Sequence, residues 1–186
     1  MAARYAFFCG SYFALVQFGF FFVLEANLSS AGLTYLAVTC SWLLGSFFGL
    51  RLEKRKAGSF EAVLGLGSAL AFYAVALAVK LFPFDNSFLW LYSILTACGG
   101  LYAGTFFNAN GTRFKRVKDI FFWENNGFIC GILGTFLGVS FLGIGFLYAA
   151  PGLAAGLLLV IKKRLRSEEE REEDFRGLLD RFSTKI

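Results

Sequence analysis

A chain of 186 residues in which 57% of the side chains are hydrophobic and 17% are charged is too apolar for a soluble domain of this length. The first apolar run is followed by several more and by no mature soluble domain, which argues against a removable signal peptide. The net charge is +5, and the basic loops lie next to the apolar runs. Membrane topology and anionic lipid headgroups therefore account for this charge, and no nucleic-acid partner is expected.

Six apolar runs are long enough to cross a bilayer as helices, which predicts an all-α integral membrane protein with a six-helix bundle in residues 1–161. Two basic loops separate some of these spans, at residues 51–61 and 108–118. Pro151 is expected to kink or open the last span. The predicted spans are residues 5–24, 31–50, 62–82, 88–107, 119–142 and 146–161.

The remaining residues, 162–186, are predicted to form a charged cytoplasmic tail that ends in an amphipathic helix. Three interpretations stay open for this tail: it lies on the membrane surface, it docks on a partner, or it is a solvated and frayed segment. The apolar residues that recur at helical spacing are Phe175, Leu178, Leu179, Phe182 and Ile186.

Lysine and arginine are distributed unevenly along the chain. Seventeen of the eighteen lie in the N-terminus, the two basic loops and the tail, and the remaining one, Lys80, lies near the far end of the third span. Because positive loops stay on the cytoplasmic side, both termini are expected in the cytoplasm of a multi-pass protein of the cell (inner) membrane.

Metal and redox chemistry have few candidate ligands in this sequence. Cys9, Cys40, Cys98 and Cys130 all fall within apolar runs, no C-x-x-C motif is present, and the chain has no histidine and only the initiator Met1. We therefore expect no metal site and no cofactor held by this chain alone; a redox group would have to be held mainly by a partner.

The fifth span combines a carboxylate with a row of glycines on one helical face. Such a row predicts close helix packing in a membrane, so Gly134→Leu is expected to destabilise the bundle by ~1–3 kcal/mol through overpacking. The second and fourth spans carry similar glycine pairs. The predicted packing residues are Gly127, Gly131, Gly134 and Gly138 in the fifth span, Gly45 and Gly49 in the second, and Gly100 and Gly104 in the fourth.

Polar residues inside the spans are the candidate site. Glu124 is interpreted as the one carboxylate within an apolar span, with Asn125 and Asn126 beside it, so no paired acid and base are expected. This turn is either a boundary wetted from the cytoplasm or a proton, cation or solute site. Gln17 either forms an interhelical hydrogen bond or contacts a solute, and Asn108 is a further candidate.

Two stretches carry a resemblance to a known family. They are residues 42–52, which lead into a basic loop, and the Asn126-Gly127 pair with the glycines that follow it through residues 141–143. Over about residues 5–161 the chain resembles the membrane region of the fused spermidine synthase-like proteins, which is itself similar to half of a major-facilitator transporter. The resemblance implies a six-helix bundle with cytoplasmic termini.

Members of that family continue into a soluble aminopropyltransferase-like Rossmann domain, whereas only 25 residues follow the last predicted span here. The polyamine chemistry that the family name implies is therefore not expected of this chain alone. No Ser-His, His-cluster or paired-carboxylate arrangement indicates another enzyme.

Two functions from different classes remain. The first is a non-catalytic membrane subunit or anchor that contacts lipid and assembles with a different protein. The alternative is a small-solute or ion transporter that acts as a homodimer, with Glu124, Gln17 and Asn108 lining a path, because a half-size bundle needs a partner to enclose an aqueous cavity.

The topology can be tested by labelling single cysteines with a membrane-impermeant reagent in intact cells. In a cysteine-free background, Ser29→Cys and Ser87→Cys should be labelled from outside, and Ser59→Cys should be labelled only after the membrane is opened. Labelling of Ser59→Cys in intact cells would contradict cytoplasmic termini.

Overall fold

The structure, a computed structural model, describes residues 2–28, 31–52 and 54–183. Within these ranges the chain is helical and contains no strand, and six helices are long and apolar enough to cross a membrane. The prediction of an all-α chain with six helices of membrane length is therefore confirmed. The helices are α1 (Ala2–Glu25), α2 (Ala31–Arg51), α3 (Lys54–Leu81), α4 (Leu89–Asn110), α5 (Val117–Leu142) and α6 (Gly145–Ser183).

Short turns connect these helices. Asn86–Phe88 is a single 3₁₀ turn in which the Asp85 carboxylate accepts the Ser87 N–H at 2.8 Å, and this bond holds the pKa of Asp85 below its usual value. Gly143, with φ of 68°, reverses the chain after α5 in a left-handed conformation that glycine adopts without strain. The helices consequently run back and forth as neighbours.

Helix α1 lies at the centre of the bundle and contacts every other helix. More than half of its apolar stretch is buried, 56%, against 11% for α5. Aromatic side chains of α1 pack edge to face with those of α4; the Phe13 ring lies 5.3 Å from Tyr102 and 5.6 Å from Phe106. The core is thus built around the first span.

Helices α2 and α4 form a close pair through glycines on both sides. A Cβ placed at Gly45 or Gly49 would collide with the α4 backbone, and one placed at Gly100 or Gly104 would collide with the α2 backbone. Two backbones approach this closely only where one of the facing residues has no side chain. These four glycines therefore lie at a close helix contact, as predicted.

Helix α5 packs against α1 in the same way over its first half. Gly10 of α1 faces the Glu124 carbonyl, and Gly127 faces the backbone of Phe7. The Ser11 hydroxyl donates a hydrogen bond to the Gly127 carbonyl at 2.9 Å, and Gly131 contacts the backbone of Ser11. This end of α5 is held by backbone contact and by a polar bridge.

The expectation for Gly134 is wrong. Gly134 is exposed, and a Cβ added there would meet nothing within 4 Å, because an open groove separates this part of α5 from α1 and α6. A larger side chain at Gly134 therefore has room. Gly138, the last glycine of the row, faces only the Phe146 ring, at 2.6 Å from an added Cβ.

Two predicted loops are partly helical. Helix α3 begins at Lys54, inside the predicted basic loop 51–61, and α4 continues to Asn110. At the basic end of the bundle, α3 is therefore about two turns longer than the predicted span, and α4 is about one turn longer. This extension buries Glu61 and Asn110, which the sequence had placed in loops.

The sixth span and the tail are one continuous helix rather than a span followed by a separate helix. The candidate membrane span of α6 lies within Gly145–Glu169, a range that includes the predicted 146–161. In the tail, Phe175 is exposed, the side chains of Leu178, Leu179 and Phe182 fall outside the described part of the chain, and so does Ile186.

Pro151 lies inside α6, as expected, and the helix is opened beside it by a side chain from α3. The Tyr73 hydroxyl accepts the Gly152 N–H at 2.8 Å and donates to the Tyr148 carbonyl at 3.1 Å. These two groups are four residues apart and would bond to each other in an unbroken helix. The Tyr73 hydroxyl therefore links these two backbone groups beside Pro151, which has no N–H to donate.

The glycine contact between α2 and α4 yields a test. Gly100→Ala should lower the stability of the detergent-solubilised protein by ~1–3 kcal/mol, because its methyl group would be forced into the Trp42 carbonyl. The control is Gly67→Ala, at a glycine with nothing within 4 Å, which should leave thermal unfolding unchanged or slightly raise its midpoint. Equal melting curves for the two variants would contradict the close approach.

Candidate functional site

A cleft with a volume of about 300 Å³ opens between α1, α2, α4 and α5, about two turns from the start of α5. It brings together three of the polar residues singled out in the sequence, Glu124, Gln17 and Asn125, from two different helices. The other lining residues are Phe13, Trp42, Leu43, Ser46, Ala103, Phe107, Phe121 and Phe128.

Glu124 is the charged residue of this cleft. Its side chain is only 6% exposed, yet within the described residues it has neither a hydrogen bond nor an ion pair. The backbone here is fixed, because Gly10 of α1 packs against the Glu124 carbonyl. A carboxylate held within an apolar span costs several kcal/mol unless water or another group pairs with it, so this position calls for a partner.

Two amides line the same cleft. Gln17 is half-buried on α1 and Asn125 is exposed on α5, and neither side chain forms a hydrogen bond with another described residue. The interhelical hydrogen bond that was one interpretation of Gln17 is therefore not formed with any residue of the described chain. Both amides are available to water or to a bound molecule.

Five of the eleven residues that line the cleft are aromatic. Phe107 of α4 and Phe121 of α5 stack with ring centroids 4.6 Å apart and an angle of 22° between their planes. The indole of Trp42 packs against Gly99, where an added Cβ would lie 2.6 Å from the ring. Small residues on α4 thus position the aromatic groups that border the carboxylate.

The other two candidates lie outside the cleft. The Asn108 amide donates to the carbonyls of Leu50 and Leu52 at the end of α2, and so caps that helix. The Asn126 amide donates to the Phe122 carbonyl of its own helix at 2.6 Å. A path lined jointly by Glu124, Gln17 and Asn108 is therefore not what the structure forms.

A second buried carboxylate, Glu61, was missed. It is 2% exposed and lies in the first half of α3, where it accepts hydrogen bonds from the Tyr5 hydroxyl at 2.7 Å and from the Asn110 amide at 2.9 Å. The Lys162 ammonium of α6 lies 2.8 Å from its other oxygen. The interpretation of Glu124 as the one carboxylate within an apolar span is therefore wrong.

A pattern in the sequence could have revealed Glu61. Glu61, Gly65 and Ser68 recur at intervals of four and three residues, which places them on one face of a helix. In the structure this face meets α1: the Tyr12 hydroxyl lies 2.7 Å from the Ser68 hydroxyl and 3.3 Å from the Gly65 carbonyl. Assigning residues 51–61 to a loop concealed the pattern.

The bonds around Glu61 extend outward to the end of α6. Arg113, in the 3₁₀ turn Gly111–Arg113, donates to the Asn110 side chain and forms an ion pair with Glu169 at 2.8 Å. The cluster formed by Tyr5, Glu61, Asn110, Arg113, Lys162 and Glu169, here called the polar clamp, joins α1, α3, α4 and α6. Because its buried charges are paired, it acts as a structural link.

Comparison with known proteins finds no family model, no curated protein and no solved structure that matches this chain. A functional proposal must therefore come from the geometry of the chain itself. Within the described residues, no group of three or more His, Cys, Asp or Glu side chains is placed to hold a metal ion.

The polar clamp can be tested by a double-mutant cycle. Lys162→Met should destabilise the protein by ~3 kcal/mol, at the lower end for a broken buried pair because the Lys162 side chain is 22% exposed. Lys163→Met, at the exposed neighbouring lysine, is the control and should cost little.

The cycle is completed by Glu61→Gln, alone and together with Lys162→Met. The double variant should be more stable than the sum of the two single changes predicts, since it leaves no unpaired charge. Additive effects in thermal unfolding would show that the two residues are not coupled.

Proposed function

We propose that this chain is a non-catalytic integral membrane subunit that anchors a partner protein by receiving one of its transmembrane helices. The observation that carries the proposal is an open groove between α1, α5 and α6, with a volume of about 370 Å³. Its lining residues are Phe8, Ser11, Tyr12, Leu15, Gly131, Gly134, Thr135, Phe146, Ala154, Leu157 and Leu158.

The groove has the chemistry of a helix-docking surface. Gly134 and Ala154 carry little or no side chain, and nothing lies within 4 Å of a Cβ added at Gly134, which allows the backbone of another helix to approach closely. The Thr135 hydroxyl already donates to the Gly131 carbonyl at 2.7 Å, so it leaves no unsatisfied donor toward lipid. The other two hydroxyls that line the groove, on Ser11 and Tyr12, are also hydrogen-bonded within the chain, and the remaining lining residues are apolar.

Helix α5 is also less buried than the other membrane-length helices. Only 11% of its span is buried, and its contact with α6 is slight compared with its contact with α1. Exposed apolar side chains such as Leu133 and Leu137 suit lipid, but the glycines beside them contribute no packing there. A partner helix would bury both.

The long last helix supports the same proposal. Helix α6 has 39 residues and is ~58 Å long, about twice the thickness of a bilayer core. The ion pair between Arg113 and Glu169 fixes its direction near the membrane boundary. Its charged end therefore projects as an arm that offers a second point of attachment.

The membrane placement belongs to this proposal. We place the end of the bundle that carries the polar clamp on the cytoplasmic side of the cell membrane, because the lysine- and arginine-rich loops adjoin that end and such loops stay in the cytoplasm. The lipid-facing surface consists of apolar side chains on α2, α3 and α5. The resemblance to a membrane region that is fused to a soluble domain agrees with an anchoring role.

A second candidate is a small-solute or ion transporter that acts as a homodimer. The cleft that contains Glu124 favours it, because an unpaired carboxylate in a span is typical of ion and solute pathways. Asn108 gives it no support, since that side chain caps α2.

Native mass measurement of the tagged chain, extracted gently from its source membrane, tests both candidates. We expect a complex heavier than the 20.6 kDa chain that contains a second polypeptide. Gly134→Leu should fill the groove and release the partner, while Gly67→Leu, at an equally open glycine on α3, should retain it. Neither variant should lower thermal stability, because both side chains have room.

The other outcomes are informative. A particle of two identical chains without another polypeptide would favour the transporter. A lone chain for the wild type, or an intact complex with Gly134→Leu, would refute docking in the groove.

A further inference from the structure

We propose that the cleft around Glu124 binds a compact organic ammonium ion, with Glu124 as its counter-ion and aromatic rings against its alkyl groups. This inference goes beyond the anchoring function and does not depend on it. It concerns the cleft between α1, α2, α4 and α5, which lies on a different side of α5 from the docking groove.

The first step is the sign of the charge. Glu124 is a buried carboxylate with no partner in the described chain, and no lysine or arginine is among the described residues that line the cleft. The other buried carboxylate, Glu61, has by contrast three donors within 2.9 Å, as expected of a structural carboxylate. A cation entering the cleft would supply the missing partner for Glu124.

The second step is the kind of cation. Inorganic cations take several oxygen ligands in place of their water shell. Only Glu124, Gln17, Asn125 and Ser46 offer side-chain oxygens in this cleft, and the Ser46 hydroxyl is engaged with the Trp42 carbonyl at 2.9 Å. The donors are too few and too dispersed for a dedicated metal cage.

Aromatic faces are instead the wall that alkylated ammonium ions prefer. Indole and phenyl rings attract such cations through their quadrupoles, and sites for quaternary ammonium groups are built from them. Five aromatic residues on four helices line the same cleft as Glu124: Phe13, Trp42, Phe107, Phe121 and Phe128. The combination of one negative charge and five rings matches a cation with an apolar surface.

The third step is size and access. A volume of about 300 Å³ is at the lower end for ligand pockets, which suits a compact ion. Phe121 is 43% exposed and Asn125 is exposed, so the entrance lies along α5, while Glu124 lies deeper. The Gln17 and Asn125 amide oxygens can accept hydrogen bonds from a protonated amine.

The test is calorimetric titration of the purified full chain, in a non-ionic detergent, with tetraethylammonium chloride. We expect saturable binding that sodium chloride does not reproduce. Glu124→Gln keeps the shape of the side chain and should weaken binding by ~10-fold or more, which corresponds to about 1.4 kcal/mol for one lost charge contact. Glu25→Gln, at an exposed carboxylate of α1, is the matched control and should bind like the wild type.

A second variant keeps the test valid if Glu124→Gln does not fold. Phe121→Leu preserves an apolar side chain at a partly exposed position and leaves the charge unchanged; it should weaken binding about 3-fold through loss of one ring face. Melting curves and elution volumes establish that each variant is folded.

Three results would overturn the proposal. They are no saturable binding of tetraethylammonium by the wild type, equal binding by the wild type and folded Glu124→Gln, or displacement of tetraethylammonium by sodium at equal concentration. The last would indicate an inorganic cation. None of these results bears on the mass of the extracted complex, so the anchoring function stands or fails separately.

Discussion

Direct approach of helix backbones at glycines is the contact on which this bundle depends. Lipid tails are as apolar as leucine side chains, so spans gain little from the hydrophobic effect once they are inserted, and close packing must hold them together. Gly45 and Gly49 of α2 lie against the α4 backbone, Gly100 and Gly104 of α4 lie against the α2 backbone, and Gly10 of α1 lies against α5 in the same way. The pairs α2 with α4 and α1 with α5 are the two most extensive helix contacts of the bundle, and the aromatic core around α1 packs beside them.

The two buried carboxylates show opposite solutions to one electrostatic problem. Charge inside a membrane must be paired or wetted. Glu61 is paired by Lys162 and by two neutral donors, and the polar clamp around it ties four helices together at the basic end. Glu124 lies in a cleft and has no partner in the described part of the chain, although Gly10 packs against its backbone carbonyl. The contrast within one molecule favours a structural role for Glu61 and a binding role for Glu124.

Helix α5 divides the open surface into two regions of different chemistry. On one side, toward α2 and α4, a cleft contains a carboxylate, two free amides and aromatic rings. On another side, toward α6, a groove presents Gly134 and Ala154 with almost no unsatisfied polarity. The first suits a small cation and the second suits a helix, because a ligand needs directed polar contacts whereas a transmembrane helix needs shape and small residues. One weakly packed helix therefore borders both proposed functions.

Composition and the lengths of the apolar runs were sufficient for the helical class and for six helices apolar enough to cross a membrane, because a bilayer leaves a chain few alternatives to apolar helices of about twenty residues. Glycine spacing likewise indicated close-packing faces on α2 and α4, but not that these two helices pack against each other. Tertiary structure alone decided which glycine faces are covered: Gly127 meets α1 and Gly134 meets nothing within 4 Å, although they lie about two turns apart on the same face of α5. It also decided which polar residues form hydrogen bonds or ion pairs, because their partners are distant in the sequence. Glu61 and Lys162, 101 positions apart, become partners only when α3 and α6 are neighbours, whereas no described side chain forms a hydrogen bond or ion pair with Glu124.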